Sequence, residues 1–220
     1  MGHASLLLAA AAVLLSGILL IWGAVRRSPA LIAAGVRSVH AFSALVALAS
    51  LTLWAALLGD DFSLQYVAAT SRLNQPLLYK IGAFWSGQEG SFLLWLLILS
   101  VYMVATARWA RRAAPELMPW ALAVQALVGV FFALMTTFVA DPFATYPAGA
   151  EPPDGRGLMP LLRDPAMLGH PIFLFLGYVG LSVPFSFAVA ALILGRPGSD
   201  WLRVTRFWTM AAWLFLTIGI

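Results

Sequence analysis

The sequence predicts an all-α, polytopic membrane protein. Its high hydrophobic fraction, its low charged fraction and its long apolar segments support this fold class. Of its 220 residues, 62% are hydrophobic and only 10% are charged, whereas soluble domains carry about 25% charged residues. Several apolar segments approach the roughly 20 residues that are needed to cross a bilayer. The absence of cysteine excludes structural disulfides, thiolate metal sites and cysteine catalysis. A net charge of +4 gives no reason to expect a nucleic-acid partner.

Hydropathy predicts about six transmembrane segments. They lie at about 4–25, 39–58, 91–107, 119–140, 171–194 and 204–220. The first is not a cleaved signal peptide, because its arginines, Arg26 and Arg27, follow the apolar run instead of preceding it. The last stays apolar to Ile220, where a chain end would leave carbonyl groups unpaired in hydrocarbon. We therefore expect residues 1–220 to be the N-terminal transmembrane part of a longer protein.

The basic residues predict which side of the membrane each connection occupies. Nine of the 13 lysines and arginines lie in the first, third and fifth connections, and such connections face the cytoplasm. The N-terminus and the loops at about 59–90 and 141–170 are therefore expected outside, on the periplasmic side of a bacterial inner membrane. Both loops are long and rich in proline and glycine. Long loops on a membrane scaffold usually carry function, so we expect any chemistry to face outward.

The first candidate site is the segment W-S-G-Q-E-G-S, which begins at Trp85 before the third span. One interpretation is structural: Ser91 caps the helix, Glu89 complements its dipole, and the tryptophan lies at the membrane interface. The other makes Glu89 part of an outward-facing site that relays protons or orients a ligand. Gly87 and Gly90 would let the backbone turn sharply or approach a neighbour closely.

The second candidate site is the segment L-R-D-P-A-M-L-G-H-P. Asp164 and Pro165 fit the cap and first residue of a short helical turn. Pro171 disfavours helical geometry at His170, which predicts that the imidazole lies on a break at the outer mouth of the fifth span. The histidine is either an interfacial residue satisfied by water or a carbonyl, or an iron ligand. No second ligand of similar quality lies nearby in the sequence.

Two other histidines receive no functional role from the sequence. His40 lies at the inner end of the second span and is interpreted as interfacial, and His3 lies at the terminus. In the fifth span, a face of small residues with a proline predicts close helix packing and a kink, and a cofactor groove is the less favoured alternative. These residues are Gly177, Gly180, Ser182, Pro184 and Ser186.

Four motifs in this order suggest a family. They are G-x-E-G-S-x-L-L-W from Gly87, D-P-F from Asp141, P-L-L-x-D-P-x-x-x-x-H-P from Pro160 and G-Y-V-G-x-S-V from Gly177. Their order and spacing resemble the N-terminal third of the cytochrome c maturation protein F (CcmF) family of haem-handling membrane proteins. The resemblance covers essentially all 220 residues. Where the family motif has a histidine, this sequence has Gln88, so no histidine role is transferred to that position.

The resemblance implies a haem-binding subunit of the cytochrome c haem lyase. His170 would be one of two outer histidines that ligate the iron of b-type haem in transit, and the second would follow Ile220. The implied partners are a periplasmic haem chaperone, apocytochrome c with its thiol-presenting subunit, and membrane lipid. Lyase-type activity would belong to the full-length chain within a complex. The candidate haem-binding residues are His170, Glu89, Trp85, Gly87, Gly90 and Pro171.

Other functions remain open at the level of the sequence. A paralogue dedicated to a multihaem nitrite reductase would carry the same motifs. A structural or proton-conducting membrane subunit of a respiratory complex would need Glu89 and His170 only as polar anchors. An ion-coupled transporter would need ionisable groups at the membrane midplane, and the predicted spans contain none there.

Overall fold

The computed structural model describes residues 1–196, 198 and 200–220, and helices dominate this part of the chain. The long helices are α1 (Gly2–Val25), α2 (Pro29–Leu58), α5 (Gln88–Ala113), α6 (Met118–Leu134), α7 (Pro165–Gly180), α8 (Ser182–Ile193) and α9 (Asp200–Gly219), and the short ones are α3 (Gln65–Thr70) and α4 (Leu77–Gly82). The described residues contain no β-strand, although Leu64 and Thr145 form an isolated antiparallel bridge. The predicted all-α class is confirmed.

Five segments of the described chain are long and apolar enough to cross a membrane. They are Gly2–Val25, Pro29–Leu58, Gln88–Ala113, Met118–Val139 and Pro165–Ile193, and they correspond to the first five predicted spans. The predicted sixth span largely coincides with α9, whose first half carries Arg203 and Arg206. These charges keep α9 outside the set of five, so its passage through the membrane stays a prediction, as does the sidedness of the bundle.

The second span begins about ten residues earlier than hydropathy predicts. Helix α2 begins at Pro29, where the Ser28 side chain accepts a hydrogen bond from the Leu31 N–H at 3.4 Å. A serine cap followed by proline favours the start of a helix. The polar residues Arg37 and Ser38 lower the local hydropathy, so the predicted span begins only after them, although the helix already includes them. Arg37 and His40 therefore lie on α2 and not in the first connection.

The third span also differs at its start. Helix α5 begins at Gln88 after Gly87, so the prediction that Ser91 caps the helix was wrong. Ser91 lies within the first turn, and its hydroxyl instead donates back to the Trp85 carbonyl at 3.0 Å. Glu89 remains in the first turn, where a carboxylate complements the positive end of the helix dipole.

The fifth span confirms one local prediction and corrects another. The Asp164 carboxylate caps α7 by accepting from the N–H groups of Ala166 and Met167 at 2.8 and 3.2 Å. The predicted break at His170 was wrong, because α7 continues through Pro171 to Gly180. A proline so near the start of a helix removes a single backbone hydrogen bond, and packing of α7 against α9 outweighs that loss.

The fifth span is instead interrupted at Leu181, between α7 and α8. Pro184 lies four residues after Gly180 and has no N–H to donate to the Gly180 carbonyl, so the hydrogen-bond ladder is interrupted at this point. The predicted kink is therefore present, and its cause is the proline named from the sequence.

Helix α5 occupies the centre of the bundle and contacts α2, α6 and α7. Helix α1 packs between α2 and α6, while α9 packs against α7 and α8. The core between the helices is apolar and includes fully buried Phe42, Leu96 and Phe187. One pair of buried polar side chains lies within it: the Gln125 amide donates to the Thr106 hydroxyl at 3.4 Å. The bundle is thus a rigid support for the loops at one end.

Two loops, residues 59–87 and 140–164, form a folded layer at one end of the bundle, which we call the loop layer. They correspond to the predicted outer loops, shortened because α5 and α7 begin earlier. The Lys80 ammonium group donates to both carboxylate oxygens of Asp60, at 2.6 Å from Oδ1. The two side chains are only 11% and 20% exposed, so this ion pair ties α4 to the end of α2 in a partly desolvated position.

We expect Lys80→Met to lower the free energy of unfolding by about 2 kcal/mol, because it leaves a partly buried carboxylate without its counter-ion. The thermal unfolding midpoint of the full-length protein in detergent measures this loss. The double variant Lys80→Met/Asp60→Asn removes both charges and should recover at least half of the loss. An equal loss in the single and double variants would contradict the ion-pair explanation.

Candidate functional site

Eight hydrogen bonds join the two loops of the loop layer: four link two backbone groups and four link a side chain to a backbone group. The four backbone pairs fall at two places. Near the ends of α2 and α6, the joining bonds are Gln65 N–H to Ala144 carbonyl at 2.9 Å and Tyr146 N–H to Ser63 carbonyl at 3.0 Å. Further along, they are Arg156 N–H to Ala68 carbonyl at 2.8 Å and Gly157 N–H to Ser71 carbonyl at 3.0 Å. The layer is therefore a single folded unit that positions the residues named from the sequence.

Tyr66 on α3 anchors the segment that precedes α5. Its hydroxyl lies 2.7 and 3.0 Å from the carbonyl oxygens of Ala83 and Phe84, and it accepts the Gly87 N–H at 3.2 Å. Burial raises the pKa of the Tyr66 phenol above its usual value, so the group keeps its proton and donates. No local motif in the sequence marks Tyr66, so its role was not predicted.

The Tyr66 side chain lies so close to the backbone at Gly87 and Gly90 that both positions of G-x-E-G require glycine. A Cβ atom at Gly90 would lie 1.8 Å from the Phe84 carbonyl oxygen and 2.3 Å from the Tyr66 hydroxyl. At Gly87 it would lie 2.9 Å from the Tyr66 ring. The predicted close approach of the backbone to a neighbour is thus present, and the neighbour is a side chain of the same loop layer.

Glu89 lines a pocket of about 610 Å³ between the two loops. The lining also includes Tyr66, Gly87, Asp141 and Arg156. Neither Glu89 nor Arg156 forms an ion pair with any residue that the structure describes. The carboxylate therefore faces a polar cavity and not lipid. His170 is not part of this lining, so the two residues emphasised by the sequence occupy different surroundings.

Trp85 connects the two candidate sites. Its indole N–H donates to the Leu168 carbonyl at 3.0 Å, in the second turn of α7. The Leu168 side chain packs on Gly82, where a Cβ atom would lie 2.2 Å away, and the Tyr79 hydroxyl donates to the Arg163 carbonyl at 3.0 Å. The interfacial tryptophan of the sequence analysis is therefore an internal contact that fastens the start of α7 to the loop layer.

His170 is half-buried on α7, and its Nδ1 atom contacts the Gly219 carbonyl at the end of α9. A carbonyl oxygen only accepts hydrogen bonds, so Nδ1 must carry the proton. In the neutral imidazole, Nε2 then keeps its lone pair. Pro171 follows His170 within the helix and makes no polar contact through its ring.

The position of the Gly219 carbonyl depends on close contact between α7 and α9. A Cβ atom at Gly219 would lie 2.9 Å from the Leu174 nitrogen, and one at Gly177 would lie 2.5 Å from Leu216 Cγ. Gly180 faces Ala212 in the same way. The predicted small-residue face thus packs against α9, and this packing brings the end of α9 to His170.

Next to α7, an aromatic cluster surrounds Trp95. Its ring centroid lies 5.0 Å from that of Phe132, 5.5 Å from Phe175 and 6.5 Å from Tyr178. The cluster joins α5, α6 and α7 with large apolar contacts. Trp95 therefore packs within the bundle.

The other histidines occupy separate places. His3 Nδ1 lies 2.7 Å from Asp141 Oδ2, so it joins the start of α1 to the D-P-F motif, a contact that the sequence analysis missed. Asp141 also accepts the Phe143 N–H at 2.9 Å. His40 is exposed on α2, and its Nδ1–H donates to the Val36 carbonyl at 2.8 Å.

Comparison with known proteins gives a consistent result. Over residues 85–220, the chain matches the family described as "Cytochrome C assembly protein". The chain belongs to this family. Its resemblance to CcmF, inferred from the motifs, is confirmed by individual relatives and by a solved structure.

Three relatives match this chain along its whole length. The cytochrome c-type biogenesis protein ccl1 of Rhodobacter capsulatus is 42% identical over 219 residues, covering 100% of this chain and 33% of the relative. CcmF of Escherichia coli is 40% identical, covering 100% of this chain and 34% of that protein. NrfE of Haemophilus influenzae is 36% identical with the same two coverages, 100% and 34%. The chain thus spans about a third of the length of these relatives.

The fold is also found in a solved structure described as "Cytochrome c Heme Lyase CcmF". That structure matches with a TM-score of 0.83 at 33% sequence identity, covering 100% of this chain and 34% of the matched chain. The arrangement of helices and loop layer described above is therefore similar to an arrangement that this family adopts.

We expect Gly90→Ala to destabilise the protein by about 3 kcal/mol, because its Cβ atom would overlap backbone in a packed site. Gly169→Ala is the matched control: it lies on α7 beside His170, and a Cβ atom there meets nothing within 4 Å. Thermal unfolding of both full-length variants measures the difference. Equal unfolding midpoints would show that the Tyr66 contact does not require glycine.

We expect Tyr66→Phe to lower the free energy of unfolding by about 1–2 kcal/mol, because it leaves the Gly87 N–H and two carbonyl groups without their buried partner. Tyr146→Phe, in the same pocket, serves as a control, since no hydrogen bond of its hydroxyl is found in the described residues. Denaturation curves of the two variants should separate; coincident curves would remove the anchor role.

Proposed function

We propose that this protein is the haem-binding membrane subunit of a cytochrome c haem lyase and holds haem at the periplasmic surface for covalent attachment to apocytochrome c. Haem is cargo here, in transit as b-type haem. Membership of the cytochrome c assembly family and similarity to relatives named for cytochrome c-type biogenesis support the proposal. The bundle would lie in the bacterial inner membrane with the loop layer on the periplasmic side.

The observation that carries the proposal is the state of His170. Because its Nδ1–H is held by the Gly219 carbonyl, the Nε2 lone pair is available to a metal. Histidines that ligate metals usually donate their other ring N–H to a carbonyl or carboxylate, which fixes the tautomer and the orientation of the ring. We infer that His170 is an axial ligand of the haem iron.

This chain offers one histidine, His170, as a ligand on one face of a haem. The described residues contain no group of three or more His, Asp or Glu side chains that could hold a metal ion by themselves. Haem already provides four nitrogen ligands to its iron, so a single histidine from this chain is sufficient on one face. We propose that the second axial ligand comes from outside residues 1–220.

The other candidate residues would support His170 from a distance. Trp85 fixes the second turn of α7 through Leu168, and thereby the helix that carries the imidazole. Gly87 and Gly90 allow Tyr66 to hold this segment in place. Glu89 complements the dipole of α5 and contributes to the polar surface of the loop layer. Pro171 limits the flexibility of the backbone next to the ligand.

The chemistry of attachment belongs to the cargo and the partners. Bound haem supplies the vinyl groups that react with the two thiols of apocytochrome c. In our proposal, a periplasmic haem chaperone delivers the haem, and a thiol-presenting subunit brings the apocytochrome. This chain would bind and orient the haem, and its lack of cysteine keeps it out of thiol exchange.

A proton-conducting subunit of a respiratory complex is less well supported. Such a subunit needs ionisable groups within its spans. In the described spans the buried polar side chains are serine, threonine and glutamine, and the buried lysine, Lys80, belongs to the loop layer. Six of the nine Asp and Glu side chains lie in the loop layer, as expected for a polar site at the membrane surface.

We expect His170→Ala to remove the haem held at the periplasmic surface and to abolish cytochrome c maturation. The full-length variant, purified with haem, should lose the absorption bands of that histidine-ligated iron, and added imidazole should restore them partly. His40→Ala is the matched control, because His40 is exposed on α2 and bonds only to its own helix. Unchanged haem content and normal maturation in His170→Ala would falsify the ligand assignment.

A further inference from the structure

The end of the bundle opposite the loop layer carries a groove with no role in haem binding. It lies between α1 and α6, has a volume of about 240 Å³, and we call it the α1–α6 groove. Its lining is almost entirely apolar, with Leu14, Ile18 and Leu127 52%, 50% and 72% exposed. The groove begins near Val13 and Val130, about the middle of both helices, and ends at Ile21 and Trp120.

A second cavity adjoins the groove at the α1–α2 connection. This basic pocket has a volume of about 440 Å³ and is lined by Arg27, Glu116 and Arg196, among others. Trp120 lines both the groove and the basic pocket. The apolar groove along two membrane-spanning helices and the charged pocket therefore lie on either side of Trp120, where those helices leave the apolar region.

The charges of this end favour an anion. Arg196 forms an ion pair with Glu116, which neutralises one arginine of the basic pocket. Arg26 and Arg27 form no ion pair with any residue in the described part of the chain. The Arg26 guanidinium lies 5.9 Å from the centre of the Trp22 ring, and both residues line a further cavity that shares Ile18 and Ile21 with the groove. Two positive charges thus remain unbalanced where the groove ends.

We propose that the α1–α6 groove and the basic pocket together bind one anionic phospholipid. An acyl chain would occupy the groove, and the phosphate would lie against Arg27, with Arg26 beside it. Arginine binds phosphate through paired N–H donors, and Trp22 and Trp120 suit the boundary between chain and headgroup. A soluble anion would leave the apolar groove unused, whereas a phospholipid matches both parts.

The test compares two lipids with the same acyl chains, phosphatidylglycerol and phosphatidylcholine, on delipidated full-length protein followed by native mass spectrometry. We expect phosphatidylglycerol to bind about fivefold more tightly, since each arginine near an anionic headgroup strengthens binding by about this factor. Arg27→Asn should remove most of that preference. Asparagine suits this position because Arg27 has φ of 49°, a conformation that asparagine tolerates.

Two pairs of variants separate lipid binding from general effects. Arg111→Asn removes the same charge from an exposed site outside both cavities, and it should leave the preference unchanged. Leu127→Trp should fill the groove and weaken the binding of both lipids, whereas Leu51→Trp, on the exposed surface of α2, should weaken the binding of neither.

Equal binding of the two lipids by the unaltered protein would overturn the proposal, as would equal effects of Arg27→Asn and Arg111→Asn. Loss of thermal stability in Leu127→Trp without loss of lipid binding would indicate that protein fills the groove, and would also overturn it.

Discussion

The hydroxyl group of Tyr66 is the contact on which the arrangement of the loop layer depends. It connects α3 with the carbonyl groups of Ala83 and Phe84 and with the N–H of Gly87. The position is buried, and a polar group left there without a hydrogen-bond partner would lower the stability of the fold. That turn then places the Trp85 indole against the second turn of α7. A tyrosine in one loop therefore determines the position of a helix that begins almost a hundred residues later.

Helix α7 is held from two directions, and His170 lies between them. The loop layer fixes its start through Trp85, and α9 packs along it at glycines that admit close contact. The imidazole meets the Gly219 carbonyl as a result of both. Its hydrogen-bonding state follows from helix packing, so a substitution on either side would change the tautomer or orientation of the ring without touching the ring itself.

Local sequence rules predicted the parts of the fold that depend on neighbouring residues. The apolar spans, the Asp164–Pro165 helix start and the kink near Pro184 all follow from patterns a few residues long. The same rules failed at His170, because packing against α9 outweighed the preference of the residue before a proline. The contacts of Tyr66 with Gly90, of His170 with Gly219 and of His3 with Asp141 join distant segments. No periodicity or motif records such pairs, so the geometry of the candidate site required the structure.

The bonding of the loop layer also determines which of its residues can change in sequence while the fold is kept. Each of the eight hydrogen bonds between its two loops uses a backbone group on at least one side, and four join two backbone groups, which every residue except proline can provide in full. Side chains that make no bond between the loops can be exchanged while the path of the chain is kept. Constraint concentrates at the few polar side chains that do bond across and at the glycines where a Cβ atom would meet backbone. Backbone bonding of this kind is consistent with the close match between this chain and the solved CcmF structure, which has a TM-score of 0.83 at only 33% sequence identity.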